Sequence, residues 1–390
     1  MKIVLFTHPT FLAHQSMPRF AQMIAVGMKQ KGHEVKAWSP RSLFFKLAFK
    51  KPMLEKWLGY LDQYVIFPIE VKLKLFNCSK DTLFVFSDNA LGPWIPLVKK
   101  RYHVVHCHDF LAQQSSFGLL QENKTGISGK YYQKFIRWGY RKADNFICIS
   151  KKTQTDLFFM LTKTPKISRV VYNGLNQNFE PVKNKITVRE TLSDRYKIDL
   201  FDGYILHVGG NAFYKNKIGV LEIYDQWAKD FKATVPLVLV GETPTELMNA
   251  FKERSIVSKS IYFITNTDDL QLQQFYQGAS VMVFPSLYEG FGWPIVEAMA
   301  SGSLVITTNE DPMREVADDA GFYIPKKPND AEQILNWKIV AAQELEKVTQ
   351  LSAAQLEDAI QKSILHSKEF SAQGFVDSIE TIYLEILQNK

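Results

Sequence analysis

The sequence predicts an α/β protein made of two doubly wound domains that face a cleft. Three observations lead there. The chain has 390 residues, more than a single core usually serves, so two domains of about 150–200 residues are the natural division. Short apolar runs bounded by Gly, Pro, Ser or Asn alternate with helical patterns, the mark of βαβ units and parallel sheets. The alternation is interrupted by the polar stretch Glu180–Lys185 and then restarts, which puts the boundary near residues 182 and 183.

Composition narrows the function classes. Hydrophobic residues make up 46% and charged residues 22% of the chain, an ordinary globular balance. Lys plus Arg exceed Asp plus Glu by 47 to 40, a net charge of +7, which suits an anionic substrate or surface as well as solubility. No basic run accompanies a base-reading motif, so nucleic acid is not an expected partner. Cys78, Cys107 and Cys148 are odd in number, lack metal-ligand spacing and lie in apolar segments, so they read as small core residues. Met1-Lys2 runs directly into Ile3–Phe6, too short a run for a signal peptide, and no apolar stretch reaches the roughly 20 residues that span a bilayer. The expectation is a cytoplasmic protein. The basic and aromatic stretch Ser42–Lys74 offers peripheral attachment to the inner membrane face as an alternative. The favoured reading of that stretch is a helix packed on the core with its lysines in water.

In chain order, Lys2–Phe6 reads as a strand, followed by a loop from Thr7 to Pro18, a helix at about Arg19–Lys31, Gly32, and the strand Glu34–Trp38. Leu83–Phe86 ends at Ser87-Asp88-Asn89, and Tyr102–Cys107 ends at His108-Asp109-Phe110. Asp144–Ser150 leads to a helix from about Thr153, and Ser168–Tyr172 runs into Asn173-Gly174. The second domain repeats the scheme. Gly203–Val208 meets Gly209-Gly210-Asn211 before a helix at Gly219–Lys229. Pro236–Val240 meets Gly241-Glu242, Ile261–Ile264 meets Thr265-Asn266, and Ala279–Phe284 and Leu304–Thr307 complete the set. A last amphipathic helix covers Phe370–Leu387. Ligands of open α/β sheets bind beyond the carboxyl ends of strands, so polar residues there carry weight. His106 and His108 have a real metal-ligand spacing, but His106 lies within an apolar run, which makes a metal the lesser reading.

The densest such loop follows Phe284: P-S-L-Y-E-G-F-G-W-P-I-V-E, residues 285–297. Gly290 and Gly292, around Phe291, let backbone N–H groups approach a ligand. Pro294 suits the first turn of a helix at about Pro294–Ser301, which places Glu297 in that first turn. A helix start favours a diphosphate, and Glu289 and Glu297, eight residues apart, can accept hydrogen bonds from hydroxyls at two places along one ligand. A nucleotide sugar has that shape. Lys215 and Lys217 are the available cations.

This string, with its preceding strand, resembles the E-x7-E signature of the retaining glycosyltransferases of family 4, in glycosyltransferase group 1. Asn173-Gly174-Leu175 is similar to the family's close of its first domain. The resemblance implies the GT-B fold, with a donor domain at 183–367 and a C-terminal helix at about 368–390 crossing back to the acceptor-side domain 1–182. It implies that Glu289 contacts sugar hydroxyls, Glu297 the ribose and His108 the transferring sugar, with Asp109 fixing the His108 ring. Lys215 or Lys217 would pair the diphosphate, and Gly209, Gly210, Asn211, Asn266, Gly290, Phe291 and Gly292 would line the donor site. Three departures stand out. Ser16-Met17-Pro18 replaces a usual glycine pair, leaving His14, Ser16 and Arg19 as acceptor-side candidates; Gly210 stands where an arginine is usual; Arg314 replaces a proline. The implied reaction moves a hexosyl group from a UDP- or GDP-linked donor to a hydroxyl of a glycan or lipid-linked glycan, in polysaccharide or lipopolysaccharide assembly, with no cofactor or required metal. The alternatives are a nucleotide-sugar 2-epimerase of the same fold and a non-catalytic membrane-surface binding protein. A nicotinamide oxidoreductase is disfavoured, because residues 7–18 contain no glycine.

Overall fold

The computed structural model describes residues 1–12, 16–49, 51–175, 177, 179–232 and 235–388. The chain divides into two units, Met1–Asn176 with Ala372–Lys390, and Gln177–Ser371.

The first unit holds a parallel sheet of β1 (Lys2–Phe6), β2 (Glu34–Trp38), β3 (Thr82–Phe86), β4 (His103–Cys107), β5 (Asn145–Cys148) and β6 (Ile167–Val170), in the order β2-β1-β3-β4-β5-β6. Register is set by the apolar runs: Ile3 pairs with both Val35 and Leu83. β3, β4 and β5 are buried along their whole length, because helices cover both faces, whereas edge strand β2 keeps Glu34 and Lys36 exposed. The core centres on Phe6, which stacks on Phe86 at 4.5 Å and meets Phe67 edge-on at 6.0 Å. The helix expected from Arg19 begins at Ser16 and runs to Gln30, with Pro18 inside its first turn where its missing N–H costs nothing.

The Ser42–Lys74 stretch is not one helix. A 3-10 turn (Phe45–Ala48) precedes a helix (Pro52–Leu61), a single π turn (Asp62–Ile66) and a second helix (Phe67–Leu75). Asp62 is buried and accepts from the Phe44 and Phe45 N–H groups at 3.0 and 2.9 Å, which ties the first turn to the helix junction. Phe67 and Val71 reach the core as expected, but many apolar side chains of this stretch stay outside. The expectation of a core-packed helix holds for one face only. Cys107 and Cys148 are core residues; Cys78 is half-buried and donates weakly to the Lys74 carbonyl.

The second unit holds β7 (Ile205–Gly209), β8 (Leu237–Gly241), β9 (Ile261–Ile264), β10 (Val281–Phe284), β11 (Leu304–Thr308) and β12 (Phe322–Ile324), all parallel, in the order β12-β11-β10-β7-β8-β9. In each sheet the strand order reverses direction at one point, between β1 and β3 in the first and between β7 and β10 in the second. The crevice outside the carboxyl ends at such a point is where open sheets take ligands.

The helix Ala372–Gln388 completes the first unit. Gly27 admits it: a Cβ there would lie 2.4 Å from a Val376 methyl. Tyr383 hydrogen-bonds His106 Nε2 at 2.7 Å, and Lys31 pairs with Asp377 at 2.5 Å.

Candidate functional site

In the second unit the loops after β7 and β10 meet. Gly209 ends β7 beside Gly241, which ends β8 with φ +149°; a Cβ on Gly241 would lie 2.1 Å from the Gly209 carbonyl oxygen, so only glycine lets the two turns approach. Asn211 is held from the β8 side, its backbone N–H donating to Glu242 Oε2 at 2.7 Å and its amide to the Thr243 carbonyl at 2.7 Å. A 3-10 turn (Phe213–Lys215) then leads to Asn216, left-handed at φ 52°, which caps the helix Lys217–Phe231 and donates to the Pro285 carbonyl at 2.9 Å. That bond and the Leu287 N–H to Tyr214 carbonyl bond at 2.7 Å stitch the two loops together.

The two lysines have separate partners. Lys215 Nζ is ion-paired with Glu289 Oε1 at 2.7 Å and lies over the rings of Phe284 and Tyr214 at 5.1 and 5.4 Å. Lys217 is buried and donates to Asn211 Oδ1 at 3.0 Å; burial pushes its ammonium down to about 8, while Glu242 pulls the other way. A cation so desolvated gains strongly from an anionic partner. Gly210 is flanked by Glu242, whose Oε1 would lie 3.2 Å from a Cβ there.

Gly292, left-handed at φ 103°, opens the helix Trp293–Ala300. Glu297 lies in its second turn, not the first, because the helix starts one residue earlier than the proline suggested. The carboxylate is buried, and its Oε2 accepts from the Tyr276 hydroxyl at 2.8 Å. The Phe291 ring is buried edge-on to Phe370 at 5.7 Å, so only its backbone is suited to a polar ligand. Asn266, left-handed at φ 57°, follows β9, the edge strand two places from β7, and is not among the loops that meet.

Three buried polar atoms of these strands and loops have no hydrogen-bond partner: His207 Nε2, Ser286 Oγ and Trp293 Nε1. Such groups are rare in folded proteins and mark places where a polar ligand has bonds to gain. Burial pushes His207 down to about 3, and its Nδ1 meets the Val283 carbonyl at 2.9 Å. A carbonyl can only accept, so the neutral ring donates through Nδ1 and keeps Nε2 as an acceptor. Sequence reasoning passed over His207 because it sits within an apolar run.

In the first unit, His8 after β1 and Asp88 after β3 meet at the reversal point, His8 Nε2 to Asp88 Oδ2 at 2.8 Å. Asp88 also accepts from the Ala90 N–H at 2.9 Å. Burial alone would raise its carboxyl, but the bond to His8 and the charges of His8 and His108 hold it below the usual range. His108 is buried edge-on to Phe20 at 4.3 Å, and burial lowers its pKa. Its Nε2 donates to the Ser87 carbonyl at 2.9 Å, so the ring is anchored by Ser87 and Phe20, with Asp88 the carboxylate acting on its charge. Asp109, expected to fix that ring, accepts instead from the Leu111 N–H at 3.0 Å, as a cap of its own turn. His106 bonds Tyr383, and among the described residues no group of three or more His, Cys, Asp or Glu is placed to hold a metal. Arg19 is half-buried in the helix Ser16–Gln30; Ser16 opens that helix, and its side chain lies outside the described residues, as does His14. A cavity of about 970 Å³, lined by Lys80, Lys99, Arg101, His103 and Asp144 among others, lies at the opposite end of this sheet and shares none of these groups.

Residues 188–351 match the family described as Glycosyl transferases group 1. Over 136 residues the chain is 34% identical to O-antigen chain mannosyltransferase B of Escherichia coli, an overlap of 34% of this chain and 35% of that relative's length. Among solved structures it resembles a glycosyltransferase from Rickettsia africae (TM-score 0.68, 17% identity, covering 100% of this chain and 99% of the other). It also resembles HepE of Anabaena in complex with UDP and glucose (TM-score 0.71, 13% identity, covering 99% and 100%). The chain thus has a GT-B type fold, two units each built on a parallel six-stranded sheet, and the part of its second unit that matches the glycosyltransferase group 1 model spans the loops that hold Lys215, Lys217, Glu289 and Glu297.

Proposed function

We propose that this protein is a retaining glycosyltransferase of family 4 type that moves a hexosyl group from a nucleotide-diphosphate sugar to a hydroxyl of a glycan or lipid-linked glycan in surface polysaccharide assembly. The observation that carries the reading is the pair of loops at the β7 and β10 ends, where Lys215, Lys217, Glu289 and a helix start converge within the group 1 region. The mannosyltransferase relative makes mannose the first sugar to test, and the likeness to a UDP and glucose complex keeps UDP donors in the panel.

Glycosyl transfer develops negative charge on the leaving diphosphate, and stabilising that charge is the largest service a site can provide. Lys215, released from Glu289, and Lys217 supply cations, while the Gly292 turn and the N–H groups of the helix it opens supply donors. Glu289, freed in the same exchange, accepts from sugar hydroxyls, and Glu297 accepts from the ribose. His108 steadies the transferred sugar. None of these steps routes through a metal or cofactor.

The test is a panel of UDP- and GDP-sugars read by thermal shift and by nucleotide release with and without glycan acceptors. One donor should raise the midpoint and be consumed only with acceptor. Acceptor-independent release of nucleotide with an altered free sugar would mean an epimerase, and no response to any donor would overturn the reading.

A further inference from the structure

We propose that the first unit carries a membrane-docking face, built from the broken helix at 45–75 and the helix Ile127–Tyr140, whose partner is an anionic lipid bilayer. Both elements leave large apolar side chains outside. On the helix, Ile127 and Tyr131 stand one turn apart at 78% and 69% exposure, with Trp138 two turns further on the same stripe. On the broken helix, Phe49 and Trp57 are 80% and 63% exposed.

A run of ring contacts joins the two. Trp57 meets Tyr60 edge-on at 6.0 Å, and Tyr60 stacks on Tyr132 at 5.5 Å. Tyr64 shares a hydroxyl hydrogen bond of 2.7 Å with Tyr132 and meets Phe135 at 5.4 Å, and Phe135 stacks on Trp138 at 6.0 Å. Exposed Trp57 and Trp138 are therefore the ends of one aromatic ladder held by the fold. A joined apolar surface of this kind marks an interaction site.

Charge selects the partner. Residues 127–142 include Lys130, Lys134, Arg141 and Lys142 and no acidic residue. The broken helix and its flanks add Lys46, Lys51, Lys56 and Lys72, against three acids: Asp62 is buried as a backbone cap, Glu70 is paired with Lys74, and half-buried Glu55 stands between Lys51 and Lys56 in the sequence, so the balance of the stretch stays positive. A second copy of this chain would present the same positive face and be repelled. Anionic headgroups attract it: Trp and Tyr rings settle at headgroup depth, apolar neighbours enter the acyl boundary, and lysines reach outward along their stems. Among the described residues no helix is long and apolar enough to cross a membrane, so the contact is at the surface.

The test is sedimentation of the full chain with vesicles of phosphatidylcholine alone and with about 30 mol% phosphatidylglycerol, across a salt series. Binding should be roughly tenfold stronger to the anionic vesicles and fall with salt. A Trp57→Ser, Trp138→Ser variant and, separately, a Lys130→Glu, Lys134→Glu variant should each weaken it roughly fivefold or more, with thermal midpoint and circular dichroism unchanged. Equal binding to both vesicles, or none to either, overturns the proposal. So does concentration-dependent self-association that the same variants abolish in the absence of vesicle binding. The donor thermal shift should be untouched by these variants, which separates this inference from the transfer reaction.

Discussion

Lys217 is a site lysine whose behaviour depends strongly on its surroundings, because burial pushes it down to about 8 from an ordinary lysine value of 10.5. A bound diphosphate favours the ammonium, so above about pH 8 binding must draw a proton from solvent. Donor affinity should be level below pH 7 and fall above pH 8, by up to about tenfold per unit. Calorimetry in buffers of different ionisation enthalpy should show proton uptake at pH 8.5 and none at pH 6.5, with the uptake gone in Lys217→Gln. Affinity that stays flat to pH 9.5 would remove Lys217 from the diphosphate. The effect on folding has the opposite sign. The unfolded chain holds this proton up to the higher pKa, so between about 8 and 10.5 it binds more protons than the native state, and stability rises with pH through that window. Lys185, also pushed down to about 8 by burial, adds to the same trend. Glu297 calls for a pair of variants, because it serves Tyr276 as well as any ligand. Glu297→Ala should weaken donor binding about tenfold or more and also destabilise by about 1–3 kcal/mol, since the Tyr276 hydroxyl loses its buried acceptor. Tyr276→Phe should reproduce the stability change while leaving donor affinity near normal. If donor affinity in Glu297→Ala is unchanged, Glu297 is a structural carboxylate and the ribose contact lies elsewhere.

At the scale of the element, the meeting of β7 and β8 rests on Gly241. An alanine there would have to hold φ near +149° and place its Cβ 2.1 Å from the Gly209 backbone oxygen, which has no freedom to swing away. Gly241→Ala should cost about 2 kcal/mol or more, seen as a lower urea midpoint with an unchanged slope, and should weaken donor binding through the displaced Asn211. Except for β12, a three-residue edge strand (Phe322–Ile324) too short to stand out as an apolar run, the strands themselves were readable from the chain. Sheets buried on both faces produce continuous apolar runs, and β1, β2 and β9 have the bounds that those runs suggest. Other ends moved by one or two residues, as with β10, which starts at Val281 and not Ala279, because pairing with a neighbour decides where a run stops being a strand. The stretch 45–75 was not readable: its buried face and its exposed apolar face together hide any helical period. The site was half readable. Glu289, Glu297 and the lysines could be named from their loops, but the Lys215–Glu289 pair joins residues 74 apart, and the His8–Asp88 pair joins residues 80 apart. Such pairs follow from which strands are neighbours, and strand order is not written in the local pattern.

At the scale of the whole molecule, the chain leaves the first unit near residue 176 and returns to it at residue 372, so the first unit depends on its last segment. The returning helix Ala372–Gln388 is fastened at several points along its length. Val376 packs into the space left by Gly27, Phe375 meets Phe20 at 5.7 Å, Glu380 takes His33 at 2.6 Å, and Tyr383 reaches the buried His106. Phe20 in turn carries His108, so the helix supports the wall on which the first-unit histidine sits. Burial pushes His106 down to about 3, which keeps the ring neutral and leaves its bond to Tyr383 as one between uncharged groups. Gly27→Leu fills the space Val376 occupies, and the helix has to lift. It should destabilise the first unit by about 2–3 kcal/mol through overpacking. Deleting residues 372–390 should do more, exposing the apolar face of the Ser16–Gln30 helix. In a calorimetric scan, both changes should lower the transition of the first unit and leave that of the second in place, while a nucleotide-sugar donor, held mainly by the second unit, should raise the second transition more than the first. If the deletion lowers both transitions equally, or the donor raises both in parallel, the two units melt as one cooperative body, and the returning helix stabilises the whole chain and not the first unit alone.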